Sequence, residues 1–318
     1  MGGATRVILA LRLRLIDYED EYESPLLATS GGHAVFSDKM RVFSFSTGVS
    51  WRWRMAAAFV AVFLTYTNLG IAADPGPEAP TAPLWMRYPA ISPDGKTIAF
   101  SFEGHLFTVP VTGGTAQALT AGPAHDTCPV WSPDGKFIAF ASDRYGHYDV
   151  FLVSVDGGPA RRLTAYSTDH LPTSFTPDGK YVLANAWRQP SVKSTFFPTR
   201  RLPQLYKISV EGGRAAEMIL TTPALHAVFD QAGQRMLYED QKAYEDLWRK
   251  HNTTSFAHDV WLYDTRTGDH TKLTSFAGED RNPVWSPDEG SVYYLSEESG
   301  SFNVWKFTLN GTTPGTPQ

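Results

Sequence analysis

From residue 84 to residue 318, short runs of aromatic and β-branched residues alternate with clusters of Pro, Asp, Gly and Ser. Runs of this length, bounded by turn residues, predict strands rather than helices. One unit shows the pattern. Pro129-Val130-Trp131 is a short apolar run. Ser132 to Gly135 is a turn, in which Pro133 presets φ, Asp134 bonds nearby backbone and Gly135 takes the positive φ. Phe137 to Ser142 and Tyr148 to Val155 read as strands, with a polar stretch from Asp143 to His147 between them. Asp156-Gly157-Gly158 is a second tight turn, and Ala160 to Leu163 a last short strand closing on Leu-Thr. The sum is four antiparallel strands in roughly 40 residues.

The unit recurs. Ser92-Pro93-Asp94-Gly95 and Ser132-Pro133-Asp134-Gly135 are full copies of the turn. Thr176-Pro177-Asp178-Gly179 and Ser286-Pro287-Asp288-Glu289-Gly290 are degenerate ones, and Asp230-Gln231-Ala232-Gly233 is worn. Around the first copy the same order returns: Ile98-Ala99-Phe100, Leu106 to Val109, Gly113-Gly114, Leu119-Thr120. Four-stranded units repeated at this length predict an all-β fold, a β-propeller with five recognisable blades. A sandwich of hairpins would account for the strands but not for the recurring wording.

The wording resembles the propeller repeat of TolB and of the tricorn-type peptidases, over five repeats from Leu84 to Gly311. A segment inserted in the fourth repeat, Tyr244-Glu245-Asp246-Leu247-Trp248-Arg249-Lys250-His251, is similar to one in bacterial tricorn-like peptidases, and favours that branch over TolB. Propellers of this kind usually have six blades or more. Because the Leu-Thr closing strand is missing from the fifth repeat, the sequence predicts a chain that stops inside its propeller. The resemblance implies the non-catalytic N-terminal propeller of an exported serine peptidase, which binds or gates peptides while a C-terminal peptidase domain hydrolyses them. The alternatives are a stand-alone TolB-like periplasmic scaffold that binds proteins and, weaker, the propeller of a prolyl-oligopeptidase-type enzyme.

Antiparallel geometry sorts the loops. The first-to-second and third-to-fourth turns of every blade fall on one face. The second-to-third loops and the connections between blades fall on the other. Two insertions, Trp187 to Pro203 and the stretch between Tyr238 and Val260, are second-to-third loops, which makes their face the functional candidate. In the second of them Tyr244, Leu247, Trp248 and His251 fall at helical spacing, predicting one short amphipathic helix.

The candidate residues follow. The resemblance to tricorn-like peptidases implies propeller loops that guide peptides, with basic groups meeting the C-terminal carboxylate; the arginine fork suits that carboxylate, which makes Arg188, Arg200 and Arg201 the candidate substrate-binding residues. Trp248, Arg249 and Lys250 are candidates for contact with a neighbouring domain, or form a local cap on the propeller. The connections carry His125-Asp126, Asp169-His170 and Glu279-Asp280, which read as loop groups serving backbone amides. Without Cys ligands or tight His spacing no metal site is assigned, and no cofactor is expected. No Gly-x-Ser-x-Gly elbow occurs and no serine stands with a histidine in a recognisable constellation, so no catalytic residue is assigned.

Charge and the N-terminal region complete the picture. The chain has 318 residues and a net charge of −5, with no basic stripe, which argues against nucleic acid as a partner. Its single cysteine, Cys128, cannot form an internal disulfide and reads as a small buried residue. Residues 1–54 show neither repeat nor domain pattern and read as an unstructured or misassigned leader. Residues 55–73, an apolar run behind Arg52-Trp53-Arg54 ending in Gly70-Ile71-Ala72-Ala73, read as a secretory signal peptide. The run is short for a membrane span, so the membrane is met only through this segment and the expected location is periplasmic or secreted. Residues 74–83 are a Pro-rich linker, and residues 84–318 the incomplete propeller.

Overall fold

The computed structural model describes residues 86–188, 202–242 and 255–318. They form five four-stranded antiparallel sheets, each made of strands consecutive in the chain. The first blade is β1 (Arg87–Ile91), β2 (Thr97–Phe102), β3 (His105–Pro110) and β4 (Gln117–Ala118). The second is β5 (Asp126–Trp131), β6 (Phe137–Ser142), β7 (Asp149–Ser154) and β8 (Arg161–Arg162). The third is β9 (His170–Phe175), β10 (Tyr181–Ala186), β11 (Gln204–Ser209) and β12 (Glu217–Leu220). The fourth is β13 (Ala224–Phe229), β14 (Arg235–Asp240), β15 (Val260–Asp264) and β16 (His270–Lys272). The fifth is β17 (Asp280–Trp285), β18 (Ser291–Ser296), β19 (Asn303–Asn310) and β20 (Thr313–Pro314).

The first strands of successive blades pack against one another, so they are innermost and the short fourth strands outermost. Side-chain hydrogen bonds tie these inner strands together: Trp131 Nε1 donates to Ala90 O at 3.0 Å, Ser174 Oγ to Ala227 O at 2.7 Å and Trp285 Nε1 to Val228 O at 3.3 Å. Four apolar layers each lie between two successive blades, and a smaller one, around Tyr293 and Leu295, is made of fifth-blade residues. On β6, Ile138 and Phe140 pack towards the first blade while Ala139 packs towards the third. On β10, Val182 and Ala184 face the second blade and Leu183 the fourth. Both faces of the second, third and fourth blades are therefore covered by neighbouring blades, which is why their second strands read as largely continuous apolar runs rather than as alternation.

Three sequence expectations need correction. In the first, second and fourth blades the Leu-Thr pair does not close the fourth strand but lies just beyond it, while in the third Leu220 is the last residue of β12. The pair's leucine enters the core, as Leu163 and Leu273 do. Its threonine hydroxyl accepts the N–H of a third-strand residue: Leu106 on Thr120, Val150 on Thr164, and Val260 on Thr274. The fifth blade lacks that pair yet has its fourth strand, β20, paired with the end of β19. And Cys128 is half-buried rather than buried, with a left-handed φ of 51° in a bulge of β5.

Candidate functional site

The two faces of the propeller are built differently. On the turn face the repeated phrase is a closed hydrogen-bonded device. Ser132 Oγ donates to Asp134 Oδ1 at 2.6 Å and accepts the N–H of Phe137 at 2.9 Å, while Asp134 Oδ1 accepts the N–H of Lys136. The Ser92, Thr176 and Ser286 copies repeat it. These bonds hold the Asp94, Asp134, Asp178 and Asp288 carboxyls below the usual range, the neighbouring hydroxyl contributing most. In the worn copy the buried Asp230 takes the serine's place, accepting the N–H groups of Gln234 and Arg235. In the last copy the left-handed residue is Glu289 (φ 55°). The Ser132 hydroxyl and Asp134 Oδ1 are both used within the turn, which marks the repeated phrase as architecture.

The loop face carries a second repeated arrangement, which the sequence did not reveal. It is complete in the second blade. There the first residue of the inner strand is Asp126, and the last residue of the second strand, Ser142, pairs with it across the sheet. Two residues on, Arg144 donates from Nη2 to Asp126 Oδ1 at 2.9 Å and from Nε to Ser142 Oγ at 2.8 Å. Its guanidinium lies over the rings of Phe151 and Phe140, 4.5 and 5.7 Å from their centroids. Carboxylate, hydroxyl and aromatic floor together hold one guanidinium.

The third blade has the guanidinium without the carboxylate. Arg188 stands where Arg144 stands, two residues beyond the end of β10. It lies over Tyr166 and Tyr206 at 3.6 and 5.0 Å. At the aspartate's position is His170, fully buried. Burial pushes the His170 imidazole down to about 4; the Thr168 carbonyl opposes this and the Arg188 charge adds to it, leaving a neutral ring at pH 7. Its Nδ1 is 2.9 Å from Thr168 O. Arg188 Nη1 is buried and, among the described residues, meets no acceptor. A buried guanidinium N–H without an acceptor favours an anion. In the fourth blade the position is Lys242, half-buried, which salt-bridges Asp259 at 2.6 Å and Asp240 at 3.4 Å. Burial would lower its pKa, but these two carboxylates raise it.

Nearer the axis each inner strand carries a bulge. The bulge residue is left-handed in four blades: Tyr88 (φ 50°), Cys128 (51°), His226 (49°) and Asn282 (51°). The third blade has Pro172 there, whose ring fixes φ near −65° and excludes that conformation. Left-handed non-glycine residues are uncommon, and their recurrence at one position marks an imposed geometry. Between the fourth and fifth blades these residues meet Glu239, whose side chain is fully buried. Glu239 accepts the Asn282 N–H at 2.6 Å and lies 3.1 Å from His258 Nδ1. His226 Nδ1 is 3.0 Å from it but out of line for a hydrogen bond. Burial would raise the Glu239 carboxyl; the two histidines outweigh it and hold the group well below the usual glutamate range.

Of the residues singled out in the sequence, Arg188 is placed as described. Arg200, Arg201, Trp248, Arg249 and Lys250, with the helix expected at Tyr244–His251, lie outside the described residues. Of the connection residues, Asp169 accepts the N–H of Tyr148 and Glu279 that of His258, whereas Asp126 holds the Arg144 side chain and His170 Nδ1 meets the Thr168 carbonyl. Among the described residues no three His, Cys, Asp or Glu side chains converge as metal ligands would. The bulge ring had one signal in the sequence. Tyr88, Cys128 and Asn282 each precede a proline, at a point where a pairing strand would otherwise want an N–H.

Residues 83–316 match the family model described as the tricorn protease N-terminal beta propeller domain. No curated protein sequence matches the chain. Among solved structures it is similar to a putative TolB from Agrobacterium tumefaciens, with TM-score 0.59 and 18% identity over 74% of this chain and 80% of that one. It is similar to TolB from Acinetobacter baumannii, with TM-score 0.53 and 19% identity over 72% of this chain and 53% of that one. It is similar also to the tricorn protease, with TM-score 0.59 and 17% identity over 73% of this chain but only 22% of that one. At these identities the likeness shows the fold alone.

Proposed function

We propose a function from the premise that this chain belongs to the tricorn protease N-terminal β-propeller family: its loop face binds peptides and holds them by their terminal carboxylate. The propeller is the non-catalytic portion of an exported tricorn-like serine peptidase, periplasmic or secreted, which gates substrates while hydrolysis takes place in a separate peptidase domain. The observation that carries this reading is Arg188. Its guanidinium is stacked over two tyrosines, its Nη1 is buried, and no described residue supplies the acceptor that Asp126 supplies to Arg144 one blade earlier. Arg200 and Arg201, on the same inserted loop, would add positive charge to the receiving end. Trp248, Arg249 and Lys250, on the insertion of the next blade, would face the adjoining domain.

The test is a pair of titrations on the full chain, with one fluorescent peptide ending in a free carboxylate and its C-terminal amide. A hydrogen bond between charged groups contributes roughly 1.5–3 kcal/mol, which corresponds to a tenfold or larger preference. The free acid should bind at least ten times tighter than the amide. Arg188→Met, which keeps an apolar chain over the tyrosines, should erase the difference. Equal binding of acid and amide, or an unchanged preference in the variant, would overturn the reading. So would binding of folded proteins with no measurable peptide affinity, the behaviour of a protein-binding scaffold.

A further inference from the structure

The fifth blade holds the converse of the third: the carboxylate without the guanidinium. Asp280 is its Asp126, the first residue of the inner strand, and Ser296 pairs with it across the sheet as Ser142 pairs with Asp126. The floor is also present, since Tyr294 and Trp305 occupy the places of Phe140 and Phe151 and are register partners as those two are. Where the second blade has Arg144, two residues beyond the second strand, the fifth has Glu298. An acidic side chain thus stands in place of the cation the arrangement is shaped for.

The surrounding groups carry the consequences of that exchange. Asp280 is fully buried, and neither carboxylate oxygen makes an aligned hydrogen bond. The hydroxyls of Ser296 and Thr274 lie close enough to favour its ionised form, yet burial pushes its carboxyl up to about 7, and Asp259 and Glu298 push the same way. Asp259, from the preceding blade, is itself occupied by Lys242 and Lys272. The Tyr294 hydroxyl is raised by burial and by Asp280 and Glu298. Trp305 Nε1 is buried without an acceptor. A buried carboxylate lacking partners is costly unless a cation completes it. The metal-ligand geometry needed for an ion is absent among the described residues, whereas the second blade displays the group this arrangement does hold.

We propose that the loop-face end of the packed seam between the fourth and fifth blades receives an alkylguanidinium or primary ammonium, the side chain of an arginine or lysine in a bound peptide, with Asp280 as the counter-ion, Glu298 beside it and Tyr294 and Trp305 as the floor. The exposed turn from Glu298 to Ser301 must swing aside to admit it. The source of the cation rests on the peptide-binding reading of this face; the receptor itself rests on the comparison between blades. The third and fifth blades would then hold opposite charges of one ligand.

The experiment uses N-acetyl-arginine amide, which has no carboxylate and so reports on this receptor independently of Arg188. It is titrated into the full chain beside N-acetyl-citrulline amide, its neutral isostere. The arginine amide should bind at least tenfold tighter. Glu298→Arg should supply the missing guanidinium from within, abolish that binding, and raise the melting temperature, while leaving the acid-over-amide preference of peptides intact. Asp280→Asn, of equal volume, should also abolish binding. Equal affinities for the two amides, no detectable binding of either, or retention of arginine-amide binding in Glu298→Arg would each overturn the proposal. Loss of the acid-over-amide preference with arginine-amide binding retained would instead strike the Arg188 reading alone.

Discussion

Replacing Glu239 with glutamine tests the join between the fourth and fifth blades at its most buried point. The carboxylate accepts the Asn282 N–H at 2.6 Å and lies 3.1 Å from His258 Nδ1 and 3.0 Å from His226 Nδ1. Glutamine fills the same volume but keeps one acceptor oxygen and sets an NH2 group against a donor. Breaking a buried charged network by removing one partner costs roughly 3–5 kcal/mol; the retained oxygen places this substitution at the lower end, about 3 kcal/mol. For a domain of this size that is a fall of roughly 6–12 °C in melting temperature. The sign with pH follows from the depressed carboxyl. Folding favours the ionised form, so Glu239 contributes its full stability above the unfolded pKa of about 4.3 and loses it as pH falls towards the folded value. Urea unfolding of both proteins at pH 7 and near pH 3.5 should therefore give a large difference that narrows in acid. The reasoning fails if the variant is as stable as the parent at pH 7, or if the difference is the same at both pH values.

Thr164→Val removes the hydroxyl that accepts the Val150 N–H at 2.9 Å and donates to Asp149; about 1–3 kcal/mol should be lost, with faster hydrogen exchange at that amide. Cys128→Gly should be neutral or stabilising in thermal melts and Cys128→Val destabilising by roughly 1–3 kcal/mol, because a β-branched residue resists the left-handed bulge. Lys242→Met leaves Asp240 and Asp259 facing each other with only Lys272 on Asp259. Because burial already raises the Asp240 carboxyl, the loss in unfolding free energy, roughly 2–4 kcal/mol at pH 7, should shrink as the pH is lowered and that group takes up a proton.

How far the sequence could be read depended on whether an interaction stays inside one repeat. The turn phrase could be read because Ser132, Asp134 and Phe137 bond within six residues, so each copy preserves the same wording. The blades could be read because both faces of each second strand are apolar. The guanidinium arrangement escaped notice because its members come from three strands and differ between blades: Asp126 becomes His170 and then Asp280, Arg144 becomes Arg188 and then Glu298. Only the pairing of Asp126 with Ser142 and of Asp280 with Ser296 makes these positions equivalent. The Leu-Thr signal was seen and its role misjudged, since a threonine hydroxyl can take a strand's N–H without extending the sheet. Cys128 looked like a core residue because nothing local distinguishes a bulge from a strand except the proline that follows.

The most direct test of the central claim, that peptides meet the loop face and not the turn face, is a footprint. A photoreactive peptide with a free carboxylate is cross-linked to the full chain and the attachment points are mapped by mass spectrometry. The account predicts attachment along residues 187–203 and 241–259 and at Tyr166, suppressed by excess unlabelled free acid but not by its amide. Attachment at the Ser-Pro-Asp-Gly turns, or spread evenly over both faces, would contradict it.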